Sequence, residues 1–156
     1  MFSNIFFTIL LVWAAVCAAL ISIADFRRRI IPDAYLFPLI LIGLLLIAFF
    51  SWPTTLTDAA IGATFGYLTS ALIGFIFDWH IRKKNPDIIA PIGLGDIKLI
   101  SVGGLWLGAN GLGIALVIAC ISGIVWARIK HQRYIPFGPF FITGTILTLL
   151  ANTFLL

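Results

Sequence analysis

From Ile5 to Ala24 the chain carries no charged side chain. About 20 apolar residues are what a helix needs to cross the roughly 30 Å hydrocarbon core of a bilayer. Further apolar stretches lie near 34 to 50, 57 to 78, 96 to 109, 110 to 127 and 137 to 156. Together they predict an all-α, polytopic membrane protein: six transmembrane helices in a single bundle, with residues 1 to 156 as one integral-membrane domain. The fourth stretch is the weakest, because it is short, opens with Asp96 and Lys98 and contains Gly103-Gly104. It is expected to lie inside the bundle. Composition agrees: 62% hydrophobic residues, 10% charged residues and a mean hydropathy of +1.14 leave too little polar side chain for an ordinary soluble surface.

The basic residues fix an expected orientation. None of Arg27, Arg28, Arg29, Arg82, Lys83, Lys84, Lys98, Arg128, Lys130 and Arg133 lies on the second, fourth or another even-numbered connection, so they mark one side. The positive-inside rule assigns that side to the cytoplasm and both termini to the other. The opposite connections, around Ser51 to Thr57 and Gly108 to Gly111, hold no Lys or Arg. The formal charge of +4 is therefore topological. It points to anionic membrane lipids as neighbours of the loops and not to nucleic acid. Residues 1 to 24 read as a retained first helix, because a cleaved signal would carry its positive charge ahead of the apolar run. Cys17 and Cys120 lie inside apolar segments and form no disulfide or zinc pattern.

The residue inventory narrows the chemistry. The six acids are Asp25, Asp33, Asp58, Asp78, Asp87 and Asp96, with no glutamate, so a helical H-E-x-x-H zinc site cannot be built. His80 and His131 are assigned to cytoplasmic loops. No G-x-S-x-G occurs, and Ser22, Ser70, Ser101 and Ser122 are expected to bond to helix carbonyls or a neighbouring helix. A phosphate-cradling P-loop is absent too. No cofactor or metal is expected.

Carboxylates remain. Asp33, after Pro32, and Asp58 read as helix caps. Asp78 and Asp87 read as interfacial or loop acids, Asp87 on the longest polar connection, about 79 to 95. Asp25 ends the first apolar segment just before Arg27, where an interfacial ion pair is the plainer role. Asp96 closes Gly93-Leu94-Gly95-Asp96 at the head of an apolar stretch. A dipole interaction at a helix start would explain the aspartate but not the glycine spacing. Lys98 follows two positions later, about 200° round the helix, and is expected to point away from Asp96 towards headgroups. The orientation puts Asp25 and Asp96 on one membrane side. An ionisable group at such a site is a functional candidate. The residues alone leave two readings of comparable weight: a dyad that activates water, or a small transporter in which the same acids relay protons or bind a cation. A scaffold role in a secretion machine is a third, and it needs neither acid.

Three separated segments carry a resemblance. Asp25-Phe26-Arg27-Arg28-Arg29-Ile30-Ile31-Pro32-Asp33, then Gly93-Leu94-Gly95-Asp96-Ile97-Lys98-Leu99 running on through Gly103-Gly104-Leu105-Trp106-Leu107-Gly108, and Ile135-Pro136-Phe137-Gly138-Pro139 are similar, in order and spacing, to the motifs of the type IV prepilin peptidases. These are the bacterial branch of the GxGD aspartic membrane proteases. The resemblance implies that Asp25 and Asp96 are the catalytic pair, with Pro32, Asp33, Gly93, Gly95, Lys98, Pro136, Gly138 and Pro139 as supporting motif positions. It implies a multi-pass protein of the bacterial inner membrane, with the dyad at the cytoplasmic face. The implied substrates are prepilins or pseudopilins, cleaved usually after a glycine between a short basic leader and an apolar helix. In such a dyad two carboxylates cannot both ionise easily, so one accepts a proton from water while its partner polarises the scissile carbonyl. Neither a metal nor a covalent intermediate is then required. The large loop with paired CxxC motifs that longer members carry has no counterpart in the sequence, so peptidase without N-methyltransferase activity is expected.

Overall fold

The computed structural model describes residues 2–83, 92–131 and 135–155, in five helices: α1 (Phe2–Arg28), α2 (Asp33–Phe50), α3 (Leu56–Arg82), α4 (Leu94–Lys130) and α5 (Phe137–Leu155). No strand occurs among the described residues. Helices satisfy their own backbone hydrogen bonds, which hydrocarbon demands because it offers none in exchange. The helices α1 to α4 are each long and apolar enough to cross a membrane, and α5 is a shorter apolar helix. Large apolar side chains stand outward along them, among them Phe37, Phe49, Phe75 and Trp79, each more than 60% exposed. Surfaces of that kind need a lipid or protein neighbour.

The count of five differs from the six helices expected. The expected segments 96 to 109 and 110 to 127 are one element, α4, with 37 residues and no connecting loop. A straight helix of that length would measure about 55 Å at 1.5 Å per residue, far beyond the hydrocarbon core. The chain instead breaks at Gly108, whose φ of 67° and ψ of 178° lie where only glycine rests comfortably. The contacts show what the break does. Gly66 of α3 lies against both Ile100 and Leu112, which would be about 18 Å apart along a straight helix. Phe141 touches Gly103 while its neighbour Phe140 lies against Gly123. The two parts of α4, 94–107 and 109–130, therefore lie side by side, and one glycine takes the place of a loop.

Around this doubled element the others assemble. The main neighbours of α4 are α3 and α5, with a smaller contact to α2, while α1 packs on α2 and α5. The closest crossing joins α3 to α4: a Cβ placed on Gly62 or Gly104 would collide with the other's backbone carbonyl. Small residues allow such approach, and where lipid tails remove the hydrophobic driving force between helices it is close packing that holds them together. The core runs through Ile21, Leu36, Leu46, Leu112, Ala115 and Phe141, all at 2% exposure or less.

Several local expectations change. Pro32 and not Asp33 occupies the cap of α2, with no side-chain cap bond, and Asp33 lies in the first turn. Thr55 caps α3, its Oγ1 accepting the Asp58 N–H at 3.1 Å while its hydroxyl donates to Asp58 Oδ2 at 2.8 Å. A threonine at that place sits in extended backbone, which the cap geometry needs, and leaves Asp58 on the third helical residue. Asp78 and His80 lie within α3, which continues to Arg82, and His131 terminates α4 in the left-handed region. Lys84, Asp87 and Arg133 lie outside the described residues. The serines behave as expected: Ser22, Ser70 and Ser122 donate to carbonyls four residues back, and Ser101 donates to Ala63 O of α3.

Candidate active site

Asp25 sits in the last turn of α1 and is buried, at 5% exposure. Burial of a carboxylate requires a partner, and α5 supplies one. The Gly138 N–H donates to Asp25 Oδ2 at 2.8 Å. The geometry follows from the local sequence. The first N–H groups of a helix have no intrahelical acceptor, and in Pro136-Phe137-Gly138-Pro139 both prolines lack an N–H altogether. The approach is also close: a Cβ on Gly138 would stand 3.0 Å from Asp25 Oδ2 and 3.2 Å from Asp25 Cβ. Pro136 and Pro139 border this contact, Pro136 fully buried.

Asp96 occupies the third position of α4, after its cap Gly93. Its Oδ2 accepts the Gly93 N–H at 3.2 Å, the return half of a capping box. Asp96 is half-buried. Gly95 beside it has a packing role, since a Cβ there would meet Ile31 Cβ at 3.0 Å. The first turn of α4 thus lies directly on the Ile30-Ile31-Pro32 connection that follows Asp25.

The two acids, distant in sequence, come together at one end of the bundle, near enough for the charge of Asp25 to act on Asp96. Both stand at helix N-termini, Asp25 at that of α5 and Asp96 at that of α4, where the backbone favours negative charge. Arg29 also bears electrostatically on Asp25.

Of the supporting positions, Gly93, Gly95, Gly138, Pro136 and Pro139 gather at this pair. Asp33 and Lys98 gather at its edge, joined to each other: Lys98 Nζ donates to Asp33 Oδ1 at 2.8 Å and Oδ2 at 2.7 Å. This corrects the expectation that Lys98 reaches for headgroups, because a carboxylate 65 residues away in sequence lies within its reach. The bond from Gly138 to Asp25 was not foreseen. Its signal was the Pro-x-Gly-Pro spacing, which leaves few free N–H groups at the start of α5. Among the described residues no three His, Cys, Asp or Glu side chains gather as a metal site would require.

An apolar cavity of about 260 Å³ opens just past the pair, lined by Ala14, Ala18, Leu99, Gly103, Trp106 and Phe141 among others. Leu99 is three residues on from Asp96, so about one helical turn separates the cavity from that carboxylate, and Ala18 is seven residues, about two turns, from Asp25.

Comparison with known proteins gives a consistent picture. Residues 7–128 match the model of the type IV leader peptidase family. The chain is 34% identical over 148 residues to a prepilin leader peptidase/N-methyltransferase of Burkholderia pseudomallei (strain 1026b), covering 88% of this chain and 45% of that protein. It is 33% identical over 137 residues to the protein of the same name from Escherichia coli (strain K12), covering 83% and 57% respectively. With that of Aeromonas hydrophila it shares 32% identity over 153 residues, 93% of this chain and 49% of the relative. The chain spans about half the length of the curated relatives it matches. No solved structure matches it significantly.

Proposed function

The chain belongs to the type IV leader peptidase family, and we propose that it is an integral-membrane aspartic endopeptidase that removes the leader from prepilins or pseudopilins. The single observation that carries this reading is the meeting of Asp25 and Asp96, each held by a glycine N–H, at one end of an apolar bundle. Two carboxylates that repel share one proton readily. The unprotonated one takes a proton from water, and the resulting hydroxide adds to the scissile carbonyl carbon. Its protonated partner gives its proton to the carbonyl oxygen, so the tetrahedral intermediate forms neutral. On collapse the first acid gives the proton it took from water to the departing amine, the second takes back a proton from a hydroxyl of the tetrahedral intermediate as the C–N bond breaks, and the pair regains its starting state.

The surroundings support a substrate that is part leader, part membrane helix. The apolar cavity one turn from Asp96 suits the helical part, and the open end of the bundle suits the leader. In the full reading the protein crosses the bacterial inner membrane six times, α4 crossing twice by its turn at Gly108. The basic connections and both acids then lie at the cytoplasmic face. The proposal concerns the peptidase reaction alone.

The test is cleavage of a co-expressed prepilin by the wild type, Asp25→Asn and Asp96→Asn, each quantified in the membrane fraction. Cleavage is expected only from the wild type. Processing that survives either substitution would remove the dyad. A proton or cation relay would instead tolerate Asp→Glu in part, which a pair held to about half an ångström does not.

A further inference from the structure

We propose that the Asp33–Lys98 ion pair is a positioning device that sets the separation of the two carboxylates; this rests on the peptidase reading above. Only residues 29–32 lie between α1 and α2, and Arg29, at φ 56°, turns the chain out of α1. Asp25 is in the last turn before that connection, so whatever fixes the connection fixes Asp25. Two contacts fasten the connection and the start of α2 to the first turn of α4. One is the close approach of Gly95 to Ile31. The other is the two-pronged bond of Lys98 to Asp33 at 2.7 and 2.8 Å. Gly95 and Lys98 bracket Asp96 in sequence. The turn that carries one acid therefore grips the segment that directly follows the other.

Among the described residues nothing comparable joins the start of α2 to α3. Helices α2 and α3 scarcely touch, and a cavity of about 360 Å³ opens between them, lined by Asp33, Ile40, Tyr67, Lys98 and Ser101 among others. As a source of stability the pair is poor, because its side chains are 48% and 46% exposed and exposed pairs contribute little. Its geometry matters for a different reason: misplacement of reacting groups by about 1 Å costs on the order of a hundredfold in rate.

The experiment uses the full chain in membrane vesicles with a membrane-embedded prepilin carrying a glycine-ended leader. Lys98→Met and Asp33→Asn are expected to lower kcat by about tenfold to a hundredfold with KM little changed. Lys98→Arg keeps most of the rate, and the exchange Asp33→Lys with Lys98→Asp recovers much of what either single change loses. A second readout is independent of cleavage. In a background lacking Cys17 and Cys120, the exposed pair Ile30→Cys and Leu94→Cys is cross-linked with a short bismaleimide. The yield is expected to fall severalfold with Lys98→Met and to return with the charge exchange. Wild-type kcat in Lys98→Met, a change confined to KM, or failure of the exchange to recover the rate overturns the proposal. So does cross-linking indifferent to Lys98. If the wild type cleaves no prepilin the peptidase reading fails, and the cross-linking result alone then decides whether the pair holds the two helices in place.

Discussion

Replacing Gly138 with alanine separates the candidate chemistry from the fold. The backbone tolerates the change, because Gly138 has no positive φ and lies in the first turn of α5, where alanine is if anything the better helix former. The added methyl, however, would sit 3.0 Å from Asp25 Oδ2, 3.2 Å from its Cβ and 3.4 Å from its Cγ. Asp25 must retreat by a few tenths of an ångström, and the 2.8 Å bond from the Gly138 N–H lengthens or breaks. A hydrogen bond to a charged group is worth about 1.5–3 kcal/mol. The carboxyl is buried, so water does not replace the lost donor. If all of that energy is needed at the transition state, the rate falls by about tenfold to a hundredfold, at 1.4 kcal/mol per tenfold. The assay is the time course of leader removal in membranes holding matched amounts of protein, with thermal unfolding in detergent alongside. Gly113→Ala is the control, since nothing lies within 4 Å of a Cβ there. Wild-type processing by Gly138→Ala would refute the argument that this N–H holds Asp25 for catalysis. A fall in rate matched by a fall in melting temperature would refute the separation of chemistry from fold.

Other outcomes follow from the same geometry. Gly104→Ala would drive a methyl into the Gly62 backbone of α3, and overpacking of this kind costs about 1–3 kcal/mol or more, read as a lowered unfolding temperature in detergent. Gly108→Ala is expected to cost about 1–3 kcal/mol, because its φ of 67° and ψ of 178° are open almost only to glycine. Circular dichroism during unfolding would register it, and an unchanged transition would mean that the turn is made elsewhere. Phe141→Ala removes a side chain at 1% exposure that packs on Gly103, for about 3–5 kcal/mol by the same measurement. For orientation, a cysteine at exposed Lys83 should escape a membrane-impermeant maleimide added outside, whereas one at exposed Thr57 should react.

The sequence showed the apolar segments and the two acids because each is a local signal: a run without charge, or a charge where hydrocarbon forbids it. It also marked the break in α4, as a segment boundary at 109 and 110, one residue from Gly108. What it could not convey is that the boundary contains no loop, because a one-residue reversal depends on the contacts of Gly66 with both parts of the helix, and of Phe141 with the first and Phe140 with the second. The Lys98 expectation failed for a related reason. Angular position on a helix tells which way a side chain leaves, and only tertiary packing tells what it meets. Asp33 and Asp58 were read as caps because aspartate suits that role, but the caps went to Pro32 and Thr55, one and three residues earlier.

The two acids are held in different ways, and the difference has a consequence. Asp96 is fastened within its own helix, by a cap three residues away, so its bond can form as soon as the first turn of α4 does. The bond of Asp25 spans 113 residues, to the start of the last helix. Its carboxyl finds its donor only when α5 has docked against α1. Gly138 thus connects the last helix to the first acid, and the pair is complete only in the closed bundle. An unassembled chain would hold Asp96 alone at the membrane surface, and one carboxylate without its partner lacks the proton that polarises the substrate carbonyl. In the proposed reaction, peptide cleavage would in this way be conditional on the fold being finished, through a single backbone N–H.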